Sequence, residues 1–211
     1  MPPPEGGARR WLCERRGTLA CASWAGARRR WLLVHGVGEA YHGATLGEVA
    51  EAGGVRRVVT GYIERLGEHV RAGRGLLLVG GWGVGKTSIL ALVAAAAWEA
   101  GLPCELVHGD RLATLLRSWA EPHRALVERL KRVALLLIDD LPNEPGLLDE
   151  LGEYRHGHGL ATCVSTNMAV EGEGAVLRQP EWRRLADRWR ERCWWVRIGG
   201  ESRRAGVEGE P

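Results

Sequence analysis

The stretch LLLVGGWGVGKTS, Leu76 to Ser88, constrains this chain more than any other. An apolar run of strand length meets a glycine-rich loop, and the loop meets an aliphatic run of helical length. The glycines let the backbone curl so that successive N–H groups point into one concavity, which suits an anion. The helix opening near Lys86 adds the positive end of its dipole. A strand and a helix joined this way predict a parallel sheet covered by helices. Gly80-x-x-x-x-Gly85-Lys86-Thr87 is a complete Walker A pattern in the setting its mechanism requires. Lys86 is expected to reach the β- and γ-phosphates of a nucleoside triphosphate, and Thr87 to hold Mg²⁺ through its hydroxyl. Gly80, Gly81, Trp82, Gly83, Val84, Gly85, Lys86, Thr87 and Ser88 form the expected nucleotide-contacting stretch. Trp82 is tolerable there because such a loop binds through its backbone, and its indole is expected at the surface.

The rest of the chain continues the alternation. Apolar residues Val59, Tyr62, Ile63, Leu66 and Val70 predict a helix over 58–73 that ends near Gly73. PCELVHG reads as a strand, and DRLATLLRSWA as an amphipathic helix with Asp110 as its N-cap. EPHRALVERLKR is helical, and RVALLLIDD is a strand apolar on both faces, as a central parallel strand must be. PGLLDELGEYRHG, LATCVSTN, QPEWRRLADRWRER and CWWVRIG read as helix, strand, helix and strand. Residues 9–40 alternate arginine clusters with Trp11, Trp24 and Trp31 and predict no particular element.

LLLIDD ends in two acids. Asp139 is expected on the magnesium side, and Asp140 where a carboxylate can orient or deprotonate an attacking water. VSTN closes the following strand, so Thr166 and Asn167 are placed to reach the γ-phosphate or its water. Asn at a strand end is also an ordinary turn residue.

Charge is uneven. Residues 1–40 carry seven arginines against three glutamates, a local +4 in a chain of net +3. A basic tip suits an acidic partner, nucleic acid or protein, and is equally consistent with a solvated arm. Cys13, Cys21, Cys104, Cys163 and Cys193 are odd in number and lack any CxxC, which fits reduced thiols in a cytoplasmic protein. Cys13 and Cys21 with His35 and His42 could ligate zinc, although the spacing is not that of a common finger or ribbon. No aliphatic stretch is long enough to span a bilayer, and no signal-peptide pattern opens the chain.

Taken in order, these segments resemble the AAA+ ATPases of the DnaC-type helicase-loader group, to which IstB-type transposition ATPases also belong. YHGATLGEV looks like the segment leading into that family's core, and EYRHGHGLATCVSTN like its sensor 1 stretch, with Arg155 at the usual arginine and Asn167 at the sensor. RRLADRWRERCWWVRIGGESRR is similar to the family's last segment, with Asp187-Arg188 on a helix and Ser202-Arg203-Arg204 beyond a strand. The phosphate loop departs from the family in having Gly81-Trp82 where proline and a small residue are more common.

The resemblance implies a P-loop NTPase of AAA+ type: a five-stranded parallel sheet flanked by helices, no C-terminal helical lid, and a short N-terminal extension. It divides the chain into a basic, partner-binding segment at 1–40 and an ATPase domain at 41–206, and the composition of the last residues, 207–211, predicts a disordered tail. It implies ATP and Mg²⁺ as ligands, with Lys86, Asp139, Asp140, Asn167, Arg188 and Arg204 as catalytic residues and Thr87 and Asp139 as metal ligands. Arg188 would be a finger reaching a neighbouring subunit's γ-phosphate, and Arg204 a sensor-2-like arginine. On the helix, Trp182, Leu185 and Trp189 form one apolar stripe and leave Arg184 and Arg188 on another face, where Arg188 could instead pair with Asp187 or Glu191. The implied partners are a replicative helicase, single-stranded DNA, and further copies of the chain on ATP or DNA binding. A transposase regulator is the alternative client, and a small-molecule P-loop kinase or a non-hydrolysing switch the alternative classes. Paired acids after a hydrophobic strand favour water attack over a kinase reaction.

Overall fold

The computed structural model describes residues 19–49, 54–118, 120–168, 179–200 and 202. The five strands are β1 (Gly75–Gly80), β2 (Cys104–His108), β3 (Leu135–Asp139), β4 (Ala161–Thr166) and β5 (Cys193–Ile198). They form one parallel sheet in the order β2-β3-β4-β1-β5. Helix α1 (Leu19–Val34), α2 (Val55–Glu64), α3 (Leu66–Arg71) and α4 (Lys86–Glu99) precede β2; α5 (Gly109–Arg117) and α6 (Glu121–Arg132) lie between β2 and β3. Helix α7 (Pro145–Gly157) leads to β4, and α8 (Arg183–Arg192) to β5.

Strand side chains alternate between two apolar layers, as a period of two dictates. Leu76, Leu78, Leu135, Leu137 and Cys163 pack on the side of α2, α3 and α4. Leu77, Leu136, Ile138 and Val164 pack with residues of α5 to α8 on the other. Helix α4 is apolar on nearly every face, and it is buried from Ile89 to Trp98. Such a helix belongs beneath other helices rather than at a surface.

The unassigned N-terminal region contains α1. Leu32 and Val37 are buried in the layer that holds α4. Just beyond α1 the backbone carbonyl of His35 accepts the N–H of Leu106 (2.9 Å). Gly36 permits that approach: it has φ 89°, and a Cβ there would come within 2.0 Å of the Leu106 carbonyl oxygen. This contact covers part of the β2 edge, whose open N–H and C=O groups would otherwise invite pairing. The buried Glu105 joins the same corner, 3.1 Å from both His35 Nδ1 and Arg129 Nε.

Two helix boundaries differ from the periodicity reading. The segment expected as one helix over 58–73 begins at Val55 and is two helices broken at Arg65, which leaves helical geometry at φ −114°, ψ 24°. It does end before Gly73, which has φ 66°. Asp110 is not an N-cap. The α5 helix starts at Gly109, two residues before an Asp110 cap would start it, and Gly109 lies against the Asp140 carbonyl, where a Cβ would come within 1.9 Å. His108 is the cap, its Nδ1 accepting the Asp110 N–H (3.3 Å).

Arg155, only 2% exposed, ties the two halves of one face together. Its guanidinium donates to the carbonyls of Leu130 (2.8 Å), Lys131 (3.2 Å) and Val133 (2.8 Å) at the end of α6. It also donates to Thr162 Oγ1 (2.9 Å) and the Ala161 carbonyl (2.5 Å) on β4. The last carbonyls of a helix have no partner within it, and a cation there also complements the dipole. Burial lowers the Arg155 pKa to about 10, which still leaves it charged at neutral pH. Arg155→Met should cost about 3 kcal/mol or more in a urea titration, because it leaves several buried carbonyls unsatisfied. A loss within ~0.5 kcal/mol would contradict this role.

Candidate nucleotide site

The C-terminal ends of β1, β4 and β3 meet at one edge of the sheet, with β4 between the other two. The phosphate loop leaves β1 and enters α4 through Gly85, which caps the helix at φ 102°. Gly83 is also left-handed at φ 74°, and a Cβ there would meet the Ser202 hydroxyl at 2.1 Å. The loop tip is therefore backed by the chain that follows β5. Trp82 projects from it 69% exposed, as its place in a backbone-binding loop implies.

Lys86 is buried, and its ammonium donates to the carbonyls of Gly80 (2.9 Å) and Gly81 (2.6 Å) and to Asn167 Oδ1 (2.5 Å). Asn167 passes the contact on, its Nδ2 donating to Asp140 Oδ1 (2.7 Å). On the β3 side, the Thr87 hydroxyl donates to the Asp139 carboxylate (3.0 and 3.2 Å). The expected residues Lys86, Thr87, Asp139, Asp140 and Asn167 thus stand in one connected group.

Ser165 completes it and was not anticipated. Its hydroxyl donates to Asp139 Oδ1 (2.7 Å) and accepts the Asp140 N–H (2.8 Å), so one side chain fixes both acids. Its backbone carbonyl accepts the Leu141 N–H (2.9 Å). The available signal was a serine pointing inward from a central strand, where an apolar residue is the default. Thr166, expected beside the acids, instead uses its hydroxyl to accept the Met168 N–H (3.0 Å). That bond closes the end of the strand.

Asp140 has φ 57°, the sole non-glycine residue with a positive φ among those described. Burial pushes its carboxyl above the usual carboxylate range; His108 draws it down and Asp139 adds to the rise. A backbone held in a sparsely populated region beside a perturbed acid is what functional sites tend to store.

Arg188 lies apart from this group on the α7–α8 seam. Its nearest acids are Asp149 (3.7 Å) and Glu153 (3.6 Å), not the Asp187 or Glu191 considered from the sequence. Asp187 pairs with Arg190 (2.9 Å) and Glu191 with His156 (3.0 Å). Trp182, Leu185 and Trp189 are buried as one stripe, and Arg184 is exposed. Arg204 lies outside the described residues, as does Cys13. The two histidines of the zinc alternative are engaged elsewhere: His35 faces Glu105, and His42 Nε2 bonds the Val37 carbonyl (2.9 Å). Among the described residues no cluster of His, Cys, Asp or Glu could hold a metal by itself, and no helix is long and apolar enough to cross a membrane.

No protein-family model matches the sequence, and no curated protein matches it. Solved structures do match in fold. A structure of DnaI superposes with a TM-score of 0.64 at 22% identity, covering 79% of this chain and 94% of that one. The DnaC helicase loader superposes at 0.61 and 17% identity, covering 77% and 100%. The replication initiator DnaA bound to AMPPCP and single-stranded DNA gives 0.60 and 18%, covering 79% of this chain and 52% of that one. Strand order, loop and neighbours agree on an α/β fold in which a five-stranded parallel sheet, flanked by helices, carries a P-loop.

Asp140→Asn should raise the urea midpoint at neutral pH. Asn tolerates a left-handed backbone, keeps the Oδ1 acceptor for Asn167, and removes a charge that folding disfavours. The folded pKa lies above the unfolded one, so wild-type stability improves as pH falls through it. The advantage of the variant should therefore shrink toward acid pH. A variant less stable at neutrality would contradict the reading of Asp140 as strained.

Proposed function

We propose that this protein is a Mg²⁺-dependent ATPase that loads a replicative DNA helicase onto single-stranded DNA, working as an assembly of copies whose ATP sites are shared. The observation that carries the ATPase reading is the continuous link from Lys86 through Asn167 to Asp140. It joins a phosphate-binding cation to a carboxylate through a side chain that can bond to both.

The residues fit the ligands. Gly83 and Gly85 take the left-handed backbone that lets the loop curl, so that successive N–H groups can face the phosphates. Thr87 and Asp139, a hydroxyl and a carboxylate within 3.0 Å, form a donor pair of the hard oxygen type that magnesium takes. Magnesium held there would supply positive charge beside the phosphoryl oxygens. Ser165 keeps the Asp139 carboxylate turned toward Thr87. Asp140 is the group that would take the proton of the attacking water, and its raised pKa moves it toward that task. Asn167 would orient that water, being already bonded to Asp140.

Arg188 is assigned as the finger supplied to a neighbouring copy, and Arg204 as the second arginine at the phosphates. An arginine at the transferring group stabilises charge that develops in the transition state. The helicase client and the DNA come from the likeness to a helicase loader and to a DNA-bound initiator. The basic N-terminal segment, 1–40, is the assigned helicase-binding region, and the nine arginines from Arg178 to Arg204 are the assigned source of both the fingers and the phosphate contacts.

Steady-state ATP hydrolysis measured against protein concentration, with and without single-stranded DNA, tests the shared site. The rate per subunit should rise with concentration and with DNA. In Arg188→Ala it should fall by about 100-fold or more while nucleotide binding persists. A rate indifferent to concentration, DNA and Arg188 would mean a self-contained site and would remove the loader.

A further inference from the structure

Helices α7 and α8 meet along a seam whose polar groups are unequally satisfied. Asp149, Gly152, Glu153 and His156 recur at helical spacing on α7 and so share its face toward α8. Gly152 allows the close approach, since a Cβ there would come within 2.6 Å of Leu185 Cδ2. Into this seam α8 extends Arg188, whose side chain is 20% exposed.

Two arginines at this seam behave differently. Arg155 makes five hydrogen bonds and is a fixed strut. Arg188 faces two carboxylates but reaches hydrogen-bond geometry with neither. Its Nη1 and Asp149 Oδ1 confront each other at 3.7 Å, and each is buried with no hydrogen-bond partner among the described residues. Glu153 stands 3.6 Å from Nη2 and is mostly exposed. Arg188 also lines a cavity between the two helices and the sheet.

A cation held by charge without short hydrogen bonds is easily given up to a better acceptor. Phosphoryl oxygens offer an arginine the paired, charge-assisted bonds that the carboxylates here do not. We propose that Asp149 and Glu153 are positioning residues that park Arg188 on its own subunit and release it to a neighbouring copy's ATP when subunits assemble. The proposal rests on Arg188 as the shared finger and goes beyond it by giving the arginine a resting place. Parking opposes assembly, because each subunit must break the α7 contact before its finger can engage. It also keeps an isolated subunit from presenting a bare cation at the surface.

The test is the concentration dependence of ATP hydrolysis in Asp149→Asn/Glu153→Gln, with Arg188→Ala alongside. Both replacements keep side-chain shape and remove charge. The concentration at half-maximal rate should fall by about 3- to 10-fold, with the plateau rate within about 2-fold of wild type. A lost contact that mattered only for folding would lower the thermal midpoint without moving this concentration to a smaller value. An unchanged or higher half-maximal concentration, with Arg188→Ala still inactive, would overturn the parking contact and leave the finger standing. Full activity in Arg188→Ala would instead remove the finger itself. Should the double variant not fold, Glu153→Gln alone, at an exposed position, should shift the half-maximal concentration in the same direction by about 2-fold. No shift there would overturn the proposal as well.

Discussion

Strand β4 separates the strand that carries the phosphate loop from the strand that carries the acidic pair, and the site depends on how its last residues bridge that gap. Ser165 and Asn167 do so in different ways. Ser165 holds Asp139 by its carboxylate and Asp140 by its backbone N–H, so one hydroxyl ties both residues to β4. Asn167 spans from Lys86 to Asp140, linking the cation of one strand–helix unit to the acid of another. Without β4, Lys86 and Asp140 would belong to unconnected loops. With it, one amide that both donates and accepts joins the Lys86 ammonium to the Asp140 carboxylate.

The rest of the fold serves to hold that edge still. Burial of the apolar α4 beneath α1, α2 and α3 fixes its first turn, which carries Lys86 and Thr87. Arg155 ties the end of α6 to the start of β4, and thereby secures the strand whose other end carries Ser165 and Asn167. The turn after α1 closes over the β2 edge of the sheet. Charge is distributed with the same economy: Arg155 is consumed by structure, whereas Arg188 sits against two acids without hydrogen-bonding either.

Much of this was readable from sequence where a physical signal was strong. Five apolar runs of strand length, each separated by a helical period, leave a parallel sheet as the natural solution, and the glycine spacing before Lys86 leaves little freedom in the loop. The order of the strands carries no such local signal, because it depends on which faces the helices cover. Asn167 was legible as a polar residue at a strand end, but Ser165 was not, since its role arises from the parallel neighbour β3 and not from its own segment. The same cause explains Thr166, whose hydroxyl finds the next N–H sooner than it could reach the acids. Helix α1 lacked a clear apolar stripe, its core contacts resting on isolated residues such as Leu32. The α5 cap lies two residues before Asp110, where Gly109 approaches Asp140 across the fold, a contact that no window along the chain contains.

The central claim is that one copy supplies Lys86 and its acids while another supplies Arg188. Mixing Lys86→Ala subunits with Arg188→Ala subunits tests it directly, since each lacks what the other retains. The account predicts that two nearly inactive proteins regain ATP hydrolysis when combined, at a rate that depends on their ratio and is highest near equal amounts. A mixture no more active than its components, at concentrations where the wild type assembles, would contradict a site shared between copies.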